Sequence, residues 1–444
     1  MRKLFSGASP AALVLALAVP FVFLHTHYQP HLAAGQVDVD LTDLAMLAAL
    51  GAAIWDGRTR GWAPLRAAAS IWRPLGAFLV LLLLSLLWAR HYDPAYGLGH
   101  HLVSALKFCE YVVLAPAAAL ALRTRDDRRV FLWAVALWTS FLSLIALLQF
   151  LGLVHEFEGR RPEQREPSYI GIHDLGALAG AALSMLFASI VLPPVRSRAR
   201  VAGIAGAFGV ALAAAFDAVG GTCVAAIAIW GVARRRARIS AVRTVSLVVL
   251  CAVVTVAAVQ LRSNTIVSFL SFLGVRPPAQ STSTGGVESW QQRVLLGYIG
   301  VKIWEDHLVV GTGWQESELP HAFEPHLAAA RERFSSQPAQ AFPSPQHEWG
   351  VQNGVVQTLS DLGIVGLVLL AAFFFAAFRL LVRVALRAPP ALARQALATT
   401  GWVLLSLAVF TGTGLLAGAP IDAEIWLGLG LAAALHHEFL TESD

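Results

Sequence analysis

Arg293, Gly297 and Gly300 recur at i, i+4 and i+7 in the stretch running from Glu288 to Trp304. On a helix this spacing sets one guanidinium above a strip that has no side chains. A planar donor fork beside bare backbone suits a phosphate ester, which needs paired hydrogen bonds and room to approach. The same pattern also describes an interfacial helix whose glycines pack on a neighbour and whose arginine meets lipid headgroups. Lys302 is a further cation on that helix.

A second group begins at Pro343-Ser344-Pro345-Gln346-His347-Glu348 and continues through Gln352 to Asp361. His347 and Glu348 are titratable groups at the exported surface, where a base could meet an acceptor hydroxyl; the same pair also reads as solvated loop residues. Asn353, Gln357 and Asp361 follow at intervals of four, a polar stripe on a helix that then turns almost wholly apolar. Polar groups facing lipid are costly, so the stripe should line a cavity or a protein contact.

The elements that hold these groups are membrane spans. Of the 444 residues, 57% are hydrophobic and only 14% charged, against a soluble-protein norm of roughly 25% charged. Apolar runs near the bilayer length recur along the whole chain and predict an all-α, polytopic bundle of about twelve spans. They are 9–24, 39–55, 73–89, 101–122, 130–153, 171–192, 199–216, 217–233, 241–260, 353–378, 396–417 and 421–437. This composition excludes a soluble enzyme, a disordered chain and a disulfide scaffold. Cys109, Cys223 and Cys251 all sit inside apolar runs, as small core residues. The net charge of +5 reflects arginines in short loops, which membrane orientation requires, so no nucleic-acid partner is expected. A first span retained after Met1-Arg2-Lys3 is expected rather than a cleaved leader.

Alternate loops separate by charge. Arg58, Arg60 and Arg66, then Arg123 to Arg129, Arg196 to Arg200, Arg234 to Arg243 and Arg379 to Arg394 share one face, which the positive-inside rule makes cytoplasmic together with both termini. Every histidine except His436 and His437 falls on the other face. That face also carries the one large connection, 261–352, partly helical and placed between spans nine and ten. The chain therefore divides into spans 1–260, an extracytoplasmic loop 261–352 with an amphipathic helix near 288–304, and spans 353–444. Loops this long are uncommon without a role.

Asn353-x9-Gly363-x2-Gly366, preceded by the Arg293 helix and by Asp306-His307-Leu308-Val309-Val310-Gly311-Thr312-Gly313-Trp314, resembles the O-antigen ligase and polymerase family. The resemblance is specific over about 288–370 and architectural elsewhere. It implies a bacterial GT-C type glycosyltransferase of the cytoplasmic membrane, active at the periplasmic face. Such an enzyme moves a glycan from undecaprenyl pyrophosphate to a glycan or lipid-core acceptor. Arg293 would then steady the leaving pyrophosphate, with Lys302 or with Arg161 and Arg165 of the loop after span five, and His347 first or Glu348 second would take the acceptor's proton. Gln352, Asn353, Gln357, Asp361, Trp314 and His173 would line the acceptor cavity. The family histidine before the asparagine is here Gln352, and a second family arginine expected near Val219–Cys223 is absent. No His-Glu-x-x-His and no Walker loop occur, so neither metal nor cofactor is implied.

Two rivals from other classes remain. A transporter or flippase of lipid-linked saccharide should show broken or charged helices at mid-membrane and paired repeats, of which only Lys107 and Glu110 give a hint. A non-catalytic membrane scaffold would follow if the missing histidine and arginine meant lost activity. Within the transferase class, ligase and polymerase differ only in their acceptor.

Overall fold

The computed structural model describes residues 7–25, 28–34, 37–154, 166–262, 289–414 and 420–442. In chain order these form α1 (Pro10–Val22), a hairpin of β1 (His31–Ala34) and β2 (Val37–Asp40), α2 (Leu41–Arg60), α3 (Ala63–Ala67), α4 (Ala69–Tyr92), α5 (Leu98–Val112) and α6 (Leu114–Ala121). There follow α7 (Arg125–Phe150), α8 (Ile172–Val191), α9 (Ser197–Ala213), α10 (Phe216–Arg236) and α11 (Ala241–Leu261). The chain ends with α12 (Ser289–Asp306), α13 (Pro320–Arg333), α14 (Gly354–Arg387), α15 (Pro390–Thr413) and α16 (Pro420–Thr441).

Each predicted span falls on a helix. Among the described residues, eight helical stretches are long and apolar enough to cross a membrane: α4, α5 with α6, α7, α8, α10, α11, α14 and α15. The protein is an integral membrane helix bundle. The hairpin is a small β element in an otherwise all-α bundle. It pairs antiparallel from His31 opposite Asp40 to Ala34 opposite Val37, and the alternation Val37-Asp38-Val39-Asp40 has the period of a strand. Span four is divided after Val112, because Pro116 has no N–H to donate to that residue's carbonyl. The turn between spans seven and eight lies at Ala214 and Ala215, just before the expected boundary at 216/217, and Phe216 already opens α10.

α8 is the central helix and packs on α9, α10 and α15. Small residues allow this: a β-carbon on Gly206 of α9 would lie 2.3 Å from the Ala179 carbonyl oxygen, and one on Gly209 would lie 2.6 Å from the Ala179 β-carbon. Close backbone approach of this kind replaces the hydrophobic drive that lipid removes. Lys107 meets Asp43 of α2 at 2.5 Å as well as Glu110 at 3.4 Å, so its neutralisation is not confined to its own helix. Asp422 and Glu424 are buried, 1% and 0% exposed, because α16 packs into the bundle.

The segment between α11 and α14 has its own small core. Leu295, Leu296, Ile299 and Ile303 of α12 pack on Ala322, Phe323 and Ala330 of α13 and on Phe342. The expected helix near 288–304 is therefore present, running to Asp306. The Pro/Ser/Thr-rich stretch 277–286 lies outside the described residues.

Candidate active site

α14 is broken at Gly363, whose φ of +65° and ψ of −166° are not helical. The break is filled by the loop after α12. Ile364 and Val365 donate their N–H groups to the carbonyls of Leu308 and Val309, at 2.9 and 3.2 Å. In return, Thr312 and Gly313 donate to the carbonyls of Ser360 and Asp361, at 2.9 and 2.8 Å. Interrupted backbone beside lipid must find partners within the protein, and here the two motif segments satisfy each other. A β-carbon on Gly363 would sit 2.2 Å from the Val309 oxygen, and one on Gly311 (φ +68°) 2.3 Å from the Asp361 carbonyl carbon. Only glycine fits both the dihedral and the space.

The polar stripe runs along this seam, and its members take different tasks. Asn353 caps α14, its side-chain oxygen accepting from the N–H of Val355 at 3.1 Å and Val356 at 3.0 Å. Gln357 donates to Glu318 at 3.3 Å. Asp361, 0% exposed, accepts from the N–H of Gln315 at 3.1 Å and Ser317 at 3.3 Å. The stripe thus clamps the loop 312–318 onto α14. Trp314 is an anchor and not a cavity wall: it is fully buried against Phe108, takes a bond from Tyr96 through its carbonyl and sends its indole N–H to Ser104.

Against this seam lies a pocket of about 420 Å³ lined by His173, Arg293, Glu318, Glu348, Gln352 and Gln357, with Asp174, Gly350, Val351, Gly412 and Thr413 completing the wall. Arg293 reaches it from α12. Its Nε donates to Gln352 Oε1 at 3.1 Å, and one Nη2 proton goes to His173 Nε2 at 3.0 Å. An acceptor role at Nε2 puts the ring proton on Nδ1, which donates to Asp217 Oδ2 at 2.7 Å. A row Asp217–His173–Arg293 results, held between the starts of α8 and α10. Two of the five guanidinium N–H groups are used and three remain for a ligand. Burial pulls the Arg293 pKa down while Asp217 opposes it, and a guanidinium stays charged under either influence. Gln352, at the position of the family histidine, therefore orients the arginine.

The other predicted residues divide plainly. His173, Arg293, Glu348, Gln352 and Gln357 converge on the pocket. His347 does not line it: the ring is exposed, stacked on Trp349 with centroids 6.0 Å apart, because a Ser344–His347 turn points it outward. Lys302 also lies apart, paired with Glu305 at 2.5 Å on the outer face of α12. Gly300 packs on Val351 and Val356, whereas the space beside Gly297 is open. Arg161 and Arg165 lie outside the described residues.

Glu318 and Asp217 were not singled out from the sequence as site residues. Burial, with Asp361 and Glu348 nearby, pushes the Glu318 carboxyl up to about 8. The neighbouring Glu316 is likewise raised to about 8, by burial and then by Asp93 and Asp361. Among the described residues, Asp93, Glu316 and His321 are the group whose ligand atoms lie close enough, within 4.8 Å, to hold a metal ion. They stand outside the pocket lining.

Residues 218–371 match the family model described as O-antigen ligase. That stretch is similar to an O-antigen ligase domain. The matched stretch runs from the first turn of α10 to the middle of α14, so it holds Arg293, Glu318, Gln352 and the glycine seam, while His173 and Asp217 complete the arginine's setting from outside it. A comparison with curated proteins finds no match.

Proposed function

We propose that this protein transfers a glycan from undecaprenyl pyrophosphate to an acceptor hydroxyl at the extracytoplasmic face of the bacterial cytoplasmic membrane. Both termini and the arginine-rich loops are then cytoplasmic, and the twelve helices of the sequence reading are the spans. The observation that carries the reading is Arg293: fixed by His173 and Gln352, it faces a pocket with three donors unused among the described residues, beside the carboxyl groups of Asp174, Glu318 and Glu348.

The acceptor oxygen attacks the anomeric carbon, the bond from that carbon to the diphosphate oxygen breaks, and its electron pair leaves on the diphosphate. Arg293 stabilises that growing charge in a setting that needs no reorganisation. The acceptor proton passes to Glu318, whose carboxyl near 8 is matched to work close to neutral pH. Glu348, at the exposed rim, orients the acceptor sugar. His347 is displaced from its expected role by its outward ring.

Purified protein given undecaprenyl-pyrophosphate oligosaccharide and a lipid-core acceptor should yield glycosylated core. A ladder of longer lipid-linked chains without core modification would instead assign a polymerase. Donor crossing the bilayer of proteoliposomes unchanged, with no new glycosidic bond, would assign a flippase and end the transferase reading.

A further inference from the structure

α8 and α15 touch the site at one end, through His173 and Thr413, and border a second cavity at the other, through Met185 and Ser189, and Leu392 and Trp402. This second cavity measures about 250 Å³. Its lining includes Arg125, Arg196, Arg198 and Arg394, brought by the starts of α7, α9 and α15. Among the described residues none of these four guanidiniums is ion-paired: Arg198 donates to the Arg129 carbonyl at 3.4 Å and Arg394 to that of Pro194 at 2.7 Å. A fifth, Arg128, is buried and already satisfied by Glu438 and Gln395. Glu442 also lines the wall.

Membrane orientation requires arginines on this face but not their convergence. Arg235 and Arg238 serve orientation equally well while standing apart in solvent. Four unpaired guanidiniums around one hollow repel each other unless an anion sits between them. The positive ends of three helices add to the same field. Below the charged rim the walls become apolar, with Leu132, Met185 and Trp402. A charged mouth above an apolar floor selects an amphipathic anion.

We propose that this cavity binds the phosphate headgroup of an anionic phospholipid from the arginine-rich leaflet, its first methylenes lying on Leu132, Met185 and Trp402. Planar donor forks hold phosphate oxygens in pairs, and basic hollows between helices on this side suit such headgroups. The bound lipid would tie the ends of α7, α9 and α15 together, independently of what the opposite site transfers.

The test uses the full chain in detergent, with native mass spectrometry and thermal unfolding against phosphatidylglycerol, phosphatidylcholine and inorganic phosphate. Phosphatidylglycerol should bind in preference to phosphatidylcholine and raise Tm. Arg196→Gln with Arg198→Gln should weaken that binding by about thirtyfold, and Arg235→Gln should leave it unchanged. Arg125→Gln with Arg196→Gln removes two exposed arginines that hold no structural contact, and so should weaken binding similarly without harming the fold. Equal phosphatidylglycerol binding by this pair and by Arg235→Gln overturns the proposal. Stabilisation by inorganic phosphate equal to that by phosphatidylglycerol overturns the lipid in favour of a free anion.

Discussion

Arg293 was visible as a lone guanidinium over glycines; His173 and Gln352 were named as cavity residues but not as the groups that aim it. His173 and Gln352 accept from two of its donors, so each loss should be graded. Arg293→Ala should lower transfer by about 10²-fold or more, the range for removing a preorganised donor from developing negative charge. Gln352→Ala should keep the charge and misdirect it, costing about tenfold in kcat with KM for the acceptor little changed. The carboxylates make a pH prediction. Glu318 ionises near 8, so transfer should climb as pH rises through that value, and Glu318→Gln should abolish the climb. Glu348 is one of the charges holding that value up, hence Glu348→Gln should move the climb to lower pH. A profile left unmoved by Glu348→Gln would separate the two groups. For folding the sign is reversed: the native state holds this proton more tightly than the unfolded chain, so the stabilisation is complete below about 4.5 and is lost as pH rises through about 8. Glu318 gave no sequence signal. Beside Glu316 it reads as a solvated loop acid, and only docking on Gln357 encloses it.

At the scale of elements, the glycine spacing in α14 is explained by a helix break that a loop repairs. Gly363→Ala should cost about 1–3 kcal/mol in backbone strain alone, and more through the 2.2 Å approach to Val309. Thermal unfolding and the yield of folded protein would measure it, and a Tm equal to that of the unchanged chain would remove this account of the motif. Asn353→Ala should cost about 1 kcal/mol by loss of the α14 cap. The stripe Asn353, Gln357 and Asp361 was legible as polar groups needing partners inside protein, because lipid offers none. Which of them would face the pocket was not legible, since helical spacing places residues on a face without saying what covers it.

Across the whole molecule, two cavities occupy opposite ends of α8 and α15. A 20-residue helix such as α8 is about 30 Å long, near the thickness of the hydrocarbon core. One end is arginine-rich and the other carries His173, Arg293 and the α12–α13 core. A cysteine placed at Gln340 should therefore react with an impermeant reagent from outside the cell, and one at Arg235 only after permeabilisation. The reverse pattern would invert the orientation and move the proposed chemistry to the cytoplasm.

The amino-acid order alone decided that this chain lives in a membrane, where its helices run and that Arg293 deserved notice. All of these follow from composition and from periods of a few residues, which are local properties. Folding decided what Arg293 leans on, since His173 is 120 residues away and Gln352 59, and it turned His347 outward while enclosing Glu318. Contacts across such separations depend on how whole helices pack, a matter of small residues meeting closely in three dimensions, and no spacing along the chain encodes them by itself.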